Sequence, residues 1–127
     1  MIEKGSELVN RWLWDKHKNA LTWKRVRLGK VSTQEMAQVE KVLLHWADAI
    51  FLEDNKVHIV EAKLRPDVSA IGQLEFYREA FIVTPEFSQY NDLPVVLIFL
   101  TMSEDLELVK FVADKGIIYE IYPVIES

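Results

Sequence analysis

The stretch VHIVEAK, residues 57–63, is an apolar and β-branched run that ends in a glutamate and a lysine two positions apart. Side chains at positions i and i+2 of a strand project to the same face, so Glu61 and Lys63 must share one environment. Turn-forming residues at 53–55 and the apolar segment ADAIFL at 47–52 come immediately before this run. The pattern predicts a β-hairpin whose second strand ends in charged residues.

The remaining elements are predicted from apolar periodicity and from turn residues. They are a helix over 6–18, a strand over 21–28, a helical insertion over 33–46, a helix opening at Pro66 and Asp67, a strand over 95–100, a helix from Ser103 and a last strand over 117–122. The fold class is therefore α/β, a mixed sheet flanked by helices, in an αβββαβ-type order with the insertion and a C-terminal strand.

Length and composition indicate a single globular domain and exclude several kinds of site. The 127 residues are expected to form a single domain, 1–127, with a packed core. The chain has no cysteine, which excludes disulfides, thiolate metal sites and thiol nucleophiles. No apolar run of signal-peptide or membrane-spanning length is present, so we expect a cytoplasmic location and no membrane partner.

Charge is distributed unevenly along the chain. The formal net charge is −5, yet residues 11–30 carry about +6 by count and the rest about −11. A basic segment of this kind can bind phosphate even on an acidic protein. Its strand carries Lys24, Arg25 and Arg27, and Trp23 on the same predicted face could stack on a base. The alternative is a solvated helix end and strand, with Trp23 in the core.

Asp48 and Glu61 are a candidate metal-binding pair. Mg²⁺ prefers hard oxygen ligands, and two carboxylates without a cation would raise the pKa of one of them. Lys63 would orient or help to deprotonate a metal-activated water and stabilise charge on a phosphate. Gln73 and Tyr77 are four residues apart, so they share a helix face and would contact substrate or hold Lys63.

Each signal has a simpler interpretation when it is taken alone. An E-x-K triplet at a strand end can be a surface ion pair, and Asp48 can be a solvated residue of an edge strand. Gln73 and Tyr77 can be the half-buried face of a helix. The order in which the signals occur along the chain favours a functional site.

That order resembles a known superfamily. Asp48, the triplet EAK at 61–63 after an apolar strand, and the stretch GQLEFY at 72–77 are similar to the PD-(D/E)XK nucleases. Among them the chain looks most like the RecB-type and phage-encoded small nucleases. It departs from the usual pattern in two ways: Asp48 follows Ala47 rather than proline, and the insertion at 33–46 is not part of the common core.

The resemblance implies a restriction endonuclease-like fold and assigns roles residue by residue. The implied metal ligands are Asp48, Glu61, the backbone carbonyl of Ala62 and the helix glutamate Glu7. The implied catalytic set is Asp48, Glu61, Lys63, Gln73 and Tyr77, and the implied nucleic-acid contacts are Gln73 and Tyr77 beside the basic strand residues.

The function that the resemblance implies is hydrolysis of DNA phosphodiester bonds by a metal-activated water, with Mg²⁺ or Mn²⁺ as cofactor. DNA repair, recombination and phage DNA processing are all compatible roles. A homodimer with paired sites, or a larger DNA-processing complex, would enlarge the DNA-binding surface, and Trp14 or Phe87 could serve such an interface. The alternative is a catalytically silent subunit of the same fold that binds nucleic acid or supports assembly.

Overall fold

The computed structural model describes residues 2–29 and 46–124. These two ranges contain helices α1 (Gly5–Lys16), α2 (Ser69–Ile82) and α3 (Leu106–Ala113), a 3-10 helix (Pro85–Tyr90) and strands β1 (Leu21–Arg27), β2 (Trp46–Glu53), β3 (Lys56–Ala62), β4 (Val95–Thr101) and β5 (Ile117–Ile121). Within them no helix has both the length and the apolar character needed to cross a membrane.

The predicted hairpin is present as β2 and β3. Its two-residue turn is Asp54-Asn55, with φ values of 55° and 58°. Two consecutive left-handed residues are typical of the type I′ turn, whose twist matches that of the flanking strands. The turn aligns Glu53 with Lys56 and fixes the register up to the pair Ala49 and Val60.

The sheet has five strands in the order β1-β2-β3-β4-β5. The first three are antiparallel, whereas β3, β4 and β5 run parallel through the crossovers formed by α2 and α3. Helix α1 packs through buried residues such as Trp12 on one face of the sheet. Helices α2 and α3 cover the other face with the 3-10 helix. The predicted mixed α/β architecture is confirmed.

Two details differ from the sequence prediction. The helical insertion predicted over 33–46 lies outside the described residues except for Trp46, which is the first residue of β2 and pairs with Arg27. Phe87 lies in the 3-10 helix and is buried, with 5% of its surface exposed. It belongs to the core and cannot serve an interface, whereas Trp14 is 76% exposed.

Candidate active site

The site lies at the open end of the β2–β3 hairpin, where backbone pairing between the two strands ends. One step beyond the pair Ala49 and Val60, the register places Asp48 opposite Glu61. Asp48 Oδ2 there accepts a hydrogen bond from the Ala62 backbone N–H at 2.7 Å. A carboxylate thus takes the place of a strand carbonyl, and directly opposite residues of an antiparallel pair project to one face. The sheet itself brings the two carboxyl groups together.

Glu61 is 4% exposed although it is an acidic residue. Its pKa is raised to about 8, first because burial disfavours the charged form, and then because Asp48 lies beside it and shares a hydrogen bond with it. The Lys63 ammonium and the Tyr77 hydroxyl act in the opposite direction. At neutral pH the Glu61 carboxyl group on its own therefore holds a proton, which a divalent cation would displace.

The backbone around Glu61 is fixed from two sides. On one side, strand β4 fixes the backbone just after β3, since the Lys63 N–H donates to the Leu100 carbonyl at 3.0 Å. On the other face the first residue of α1 is in contact with Ala62: a Cβ on Gly5 would lie 2.8 Å from the Ala62 carbonyl oxygen. Only glycine allows this approach without displacement. Gly5 could not be singled out from the sequence, because a close contact between distant segments leaves no local pattern.

Tyr77 connects helix α2 to the site. Its side chain is fully buried, and its hydroxyl lies 3.4 Å from Glu61 Oε1 and 3.1 Å from the Trp46 carbonyl, able to donate to either. Burial, followed by the nearby carboxylates, raises the pKa of Tyr77 above its ordinary value, so the phenol stays protonated. Tyr77 therefore acts as a donor that holds Glu61 in place.

Gln73 lies one turn before Tyr77 on the same helix. Its Oε1 is buried, and within the described part of the chain it has no hydrogen-bond partner. A buried amide oxygen without a partner is unfavourable by about 1–3 kcal/mol. It is thus a polar atom available to a ligand on the α2 side of the site.

Metal coordination by Glu7 remains a prediction. Glu7 is half-buried in the first turn of α1, two residues after the glycine that touches Ala62. Over residues 2–29 and 46–124, no three His, Cys, Asp or Glu side chains form a group that could hold a metal ion. The side chains gathered here are a pair, Asp48 and Glu61, and the Ala62 carbonyl is the neighbouring backbone oxygen that could complete a set of hard ligands.

The basic strand β1 lies beside the site. Lys24, Arg25 and Arg27 are all exposed. Arg25 stands at the register position opposite Asp48, between the pairs that β1 makes with Ala49 and Ala47. Its guanidinium carbon lies 5.7 Å from the centroid of the Trp46 ring, within reach of a cation–π contact. The candidate phosphate contacts therefore border the carboxylate pair.

Contrary to the prediction from the sequence pattern, Trp23 does not share an exposed face with Arg25 and Arg27. Arg25 has a φ of 52°, which interrupts the alternation of β1. Trp23 is half-buried, and its ring contacts Phe87 at 5.2 Å and Tyr90 at 5.8 Å between centroids. Its ring is thus part of the core, as the simpler interpretation held, while the cations stay in solvent.

Comparison with known proteins finds similarity to solved structures but no match to curated sequences. No family model matches the chain, and no curated protein sequence matches it. A crystal structure of a repair endonuclease from Pyrococcus abyssi superposes with a TM-score of 0.62 at 15% identity, over 97% of this chain and 48% of that one. The EndoMS–dsDNA2 complex gives a TM-score of 0.53 at 15% identity, over 100% of this chain and 48% of the other. This chain thus spans about half the length of either, and at such identity the likeness is one of fold: a five-stranded mixed sheet flanked by helices, as in these endonucleases.

Proposed function

We propose that this protein is a divalent-cation-dependent deoxyribonuclease of the PD-(D/E)XK type, with its site at Asp48, Glu61 and Lys63. The observation that carries the proposal is the meeting of two carboxyl groups at the open end of the hairpin, one of them almost fully buried. Burying like charges side by side destabilises a fold unless a cation or a proton compensates. The fold likeness to two endonucleases supports the same conclusion.

The donor set suits Mg²⁺ or Mn²⁺. Asp48, Glu61 and the Ala62 carbonyl would hold the ion through hard oxygen atoms. When bound, the cation supplies the positive charge that activates water and neutralises a phosphate group. The Ala62 N–H donates to the Asp48 carboxylate, and the Tyr77 hydroxyl can donate to that of Glu61, so both groups have hydrogen bonds that limit their motion.

Lys63 follows Glu61 by two residues, and its backbone is fixed to β4. We assign its ammonium group to the scissile phosphate, where it would stabilise the negative charge that grows as water attacks phosphorus. Gln73 offers an unpaired amide oxygen on the α2 side. Lys24, Arg25 and Arg27 would bind phosphates along the strand next to the site.

The test is a cleavage assay on labelled single strands, duplexes, flaps and four-way junctions with Mg²⁺, Mn²⁺ or EDTA. Metal-dependent cleavage that is lost in Glu61→Ala and in Lys63→Ala, and kept in Lys56→Ala, supports the proposal. Lys56 is the matched control because it is an exposed lysine at the other end of the same strand. Binding of DNA without cleavage by folded protein would favour the catalytically silent subunit instead.

A further inference from the structure

The outer side of helix α1 carries a basic and aromatic stripe that the proposed active site does not use. Arg11 and Trp14 are three residues apart on this helix, and Lys18, two residues after the helix ends, lines the same groove; all three are exposed. Trp14 is the most exposed of the large apolar side chains that the structure describes, at 76%. A tryptophan exposed to this extent contributes little to the core, and its ring face is open to a ligand.

Two shallow grooves adjoin Trp14 and Lys18. One has a volume of about 430 Å³ and is also lined by Arg11, Asp15 and Tyr122. The other has a volume of about 250 Å³ and extends towards Lys24 on β1. The smaller groove has the volume of about eight water molecules, enough for one planar heterocycle. Trp14 therefore stands between two spaces into which a flat ring could insert.

The charges around these grooves favour an anionic ligand. Asp15 is the acidic residue among their lining side chains, and it is already engaged, with its Oδ2 accepting from the Tyr122 hydroxyl at 2.8 Å and lying 4.0 Å from the Lys16 ammonium. The exposed aromatic Phe111 on α3 provides a contrast, because its groove is lined by Asp105 and Glu107. Of the two aromatic surfaces, only the one at Trp14 is complementary to phosphate.

We propose that Trp14 stacks on an unpaired base of a single-stranded DNA segment whose phosphates are bound by Arg11, Lys18 and Lys24. The proposal rests on the proposed function and names the substrate class of that site: DNA with a single-stranded portion. Aromatic stacking next to cations is how proteins bind single strands without reading sequence, since every base has a π face. In a duplex the bases are already stacked on one another and are not available to Trp14.

The geometry also gives a length for this segment. Helix α1 begins against the Ala62 backbone, on the sheet face opposite the Asp48 and Glu61 side chains, and Trp14 lies nine residues after Gly5, which is about 13.5 Å along the helix axis. At about 3.4 Å per stacked nucleotide this corresponds to about four nucleotides. The strand must also pass from one face of the sheet to the other, so stacking on Trp14 should strengthen binding of a duplex only when its single-stranded tail has at least about that length.

The experiment is fluorescence anisotropy of a labelled dT12 oligonucleotide and of a labelled blunt duplex, in EDTA so that neither is cleaved. Trp14→Ala should weaken binding of dT12 by about 5- to 100-fold, Trp14→Phe should retain most of the affinity, and duplex binding should change by less than about twofold. Phe111→Ala is the matched control, an exposed aromatic on an acidic groove. Duplexes with tails of increasing length then test the four-nucleotide estimate.

Three results would overturn this inference. They are no measurable binding of dT12 by the wild-type protein, equal losses for dT12 and duplex in Trp14→Ala, and a dimer that Trp14→Ala converts to monomer in light scattering. Failure of the nuclease proposal and failure of the stacking site give different results in these experiments. Binding of dT12 through Trp14 without any cleavage would refute only the nuclease, and cleavage with Trp14-independent binding would refute only the stacking site.

Discussion

The two ends of the β2–β3 hairpin each bring an acidic residue of β2 against a second titratable side chain. At the turn end, both Glu53 carboxylate oxygens lie 2.9 Å from His17 Nδ1. At the open end, Asp48 meets another carboxyl group, that of Glu61, whose pKa rises to about 8, chiefly because the side chain is buried. The same pair of strands thus holds one acid with a complementary partner and one with a like-charged partner.

This difference separates a structural contact from a candidate site. The Glu53 and His17 pair is partly exposed and needs nothing further. The Asp48 and Glu61 pair is incomplete without a proton or a cation, and perturbed carboxyl groups of that kind concentrate at functional sites. The following predictions test the contrast between the two ends, beginning with the largest effect.

Asp48→Asn should lower metal-dependent DNA cleavage by about 10³-fold or more, because a cation's stabilisation of charge is worth several kcal/mol. The amide oxygen can still accept from the Ala62 N–H, so the strand end should stay in place. Glu53→Gln, the matched change at the turn end, should leave the rate within about twofold. The contrast is refuted if both variants lose activity equally when measured under single-turnover conditions.

Mg²⁺ should stabilise the wild-type protein at neutral pH. At a concentration one hundred times Kd, binding contributes about 2.7 kcal/mol, which corresponds to about 10 °C in Tm for a domain of this size. Thermal unfolding with Mg²⁺ and with EDTA measures the shift. Glu61→Gln should abolish the shift and Glu53→Gln should retain it, while an equal shift in both would place the ion elsewhere.

Without divalent cations, stability should fall as pH rises. The folded-state pKa of Glu61, about 8, lies above its ordinary value of 4.5, so the proton that it holds stabilises the fold fully below about pH 4.5. This contribution is lost as pH rises through 8, on the order of a few kcal/mol in all. Urea unfolding in EDTA between pH 5 and 9 measures it. Glu61→Gln should flatten the profile, and an unchanged slope in that variant would assign the pH dependence to another group.

Gly5→Ala should destabilise the protein by about 1–3 kcal/mol, because its Cβ would lie 2.8 Å from the Ala62 carbonyl oxygen and α1 would have to shift. Gly72→Ala is the matched control. No atom lies within 4 Å of the Cβ that it would add, so in the N-terminal part of α2 it should be neutral or stabilising by up to about 1 kcal/mol. Chemical denaturation measures the free energy of unfolding of both variants. An unchanged value for Gly5→Ala would show that α1 can shift away from Ala62 at little cost.

The smallest effect is expected for the stability of Glu53→Gln. It removes the charge opposite His17 and keeps the ring contacts of His17 with Trp12 and Phe51. A partly exposed contact of this kind contributes under about 1 kcal/mol. A loss above about 2 kcal/mol in urea unfolding would contradict this and show that the contact at the turn end is a major contribution to stability.

The hairpin and the carboxylate pair could be predicted because their determinants are local. Apolar alternation, a turn and an i, i+2 pair identify β2, β3, Glu61 and Lys63 from the sequence. Trp46 was misassigned because its spacing from the residues before it suits a helix as well as a strand, and its pairing with Arg27 decides the matter through hydrogen bonds between distant segments. The left-handed backbone conformation of Arg25 likewise has no signature in the neighbouring residues of the sequence.

Strand β1 ends the sheet, so its outer backbone groups have no strand partner among the residues that the structure describes. Open edges of this kind promote pairing between molecules, and natural proteins discourage such association with lysines and arginines. Lys24, Arg25 and Arg27 stand on this edge. The charges assigned to phosphate therefore also discourage pairing of this edge with another molecule, and variants made to weaken DNA binding should replace them with polar rather than apolar side chains.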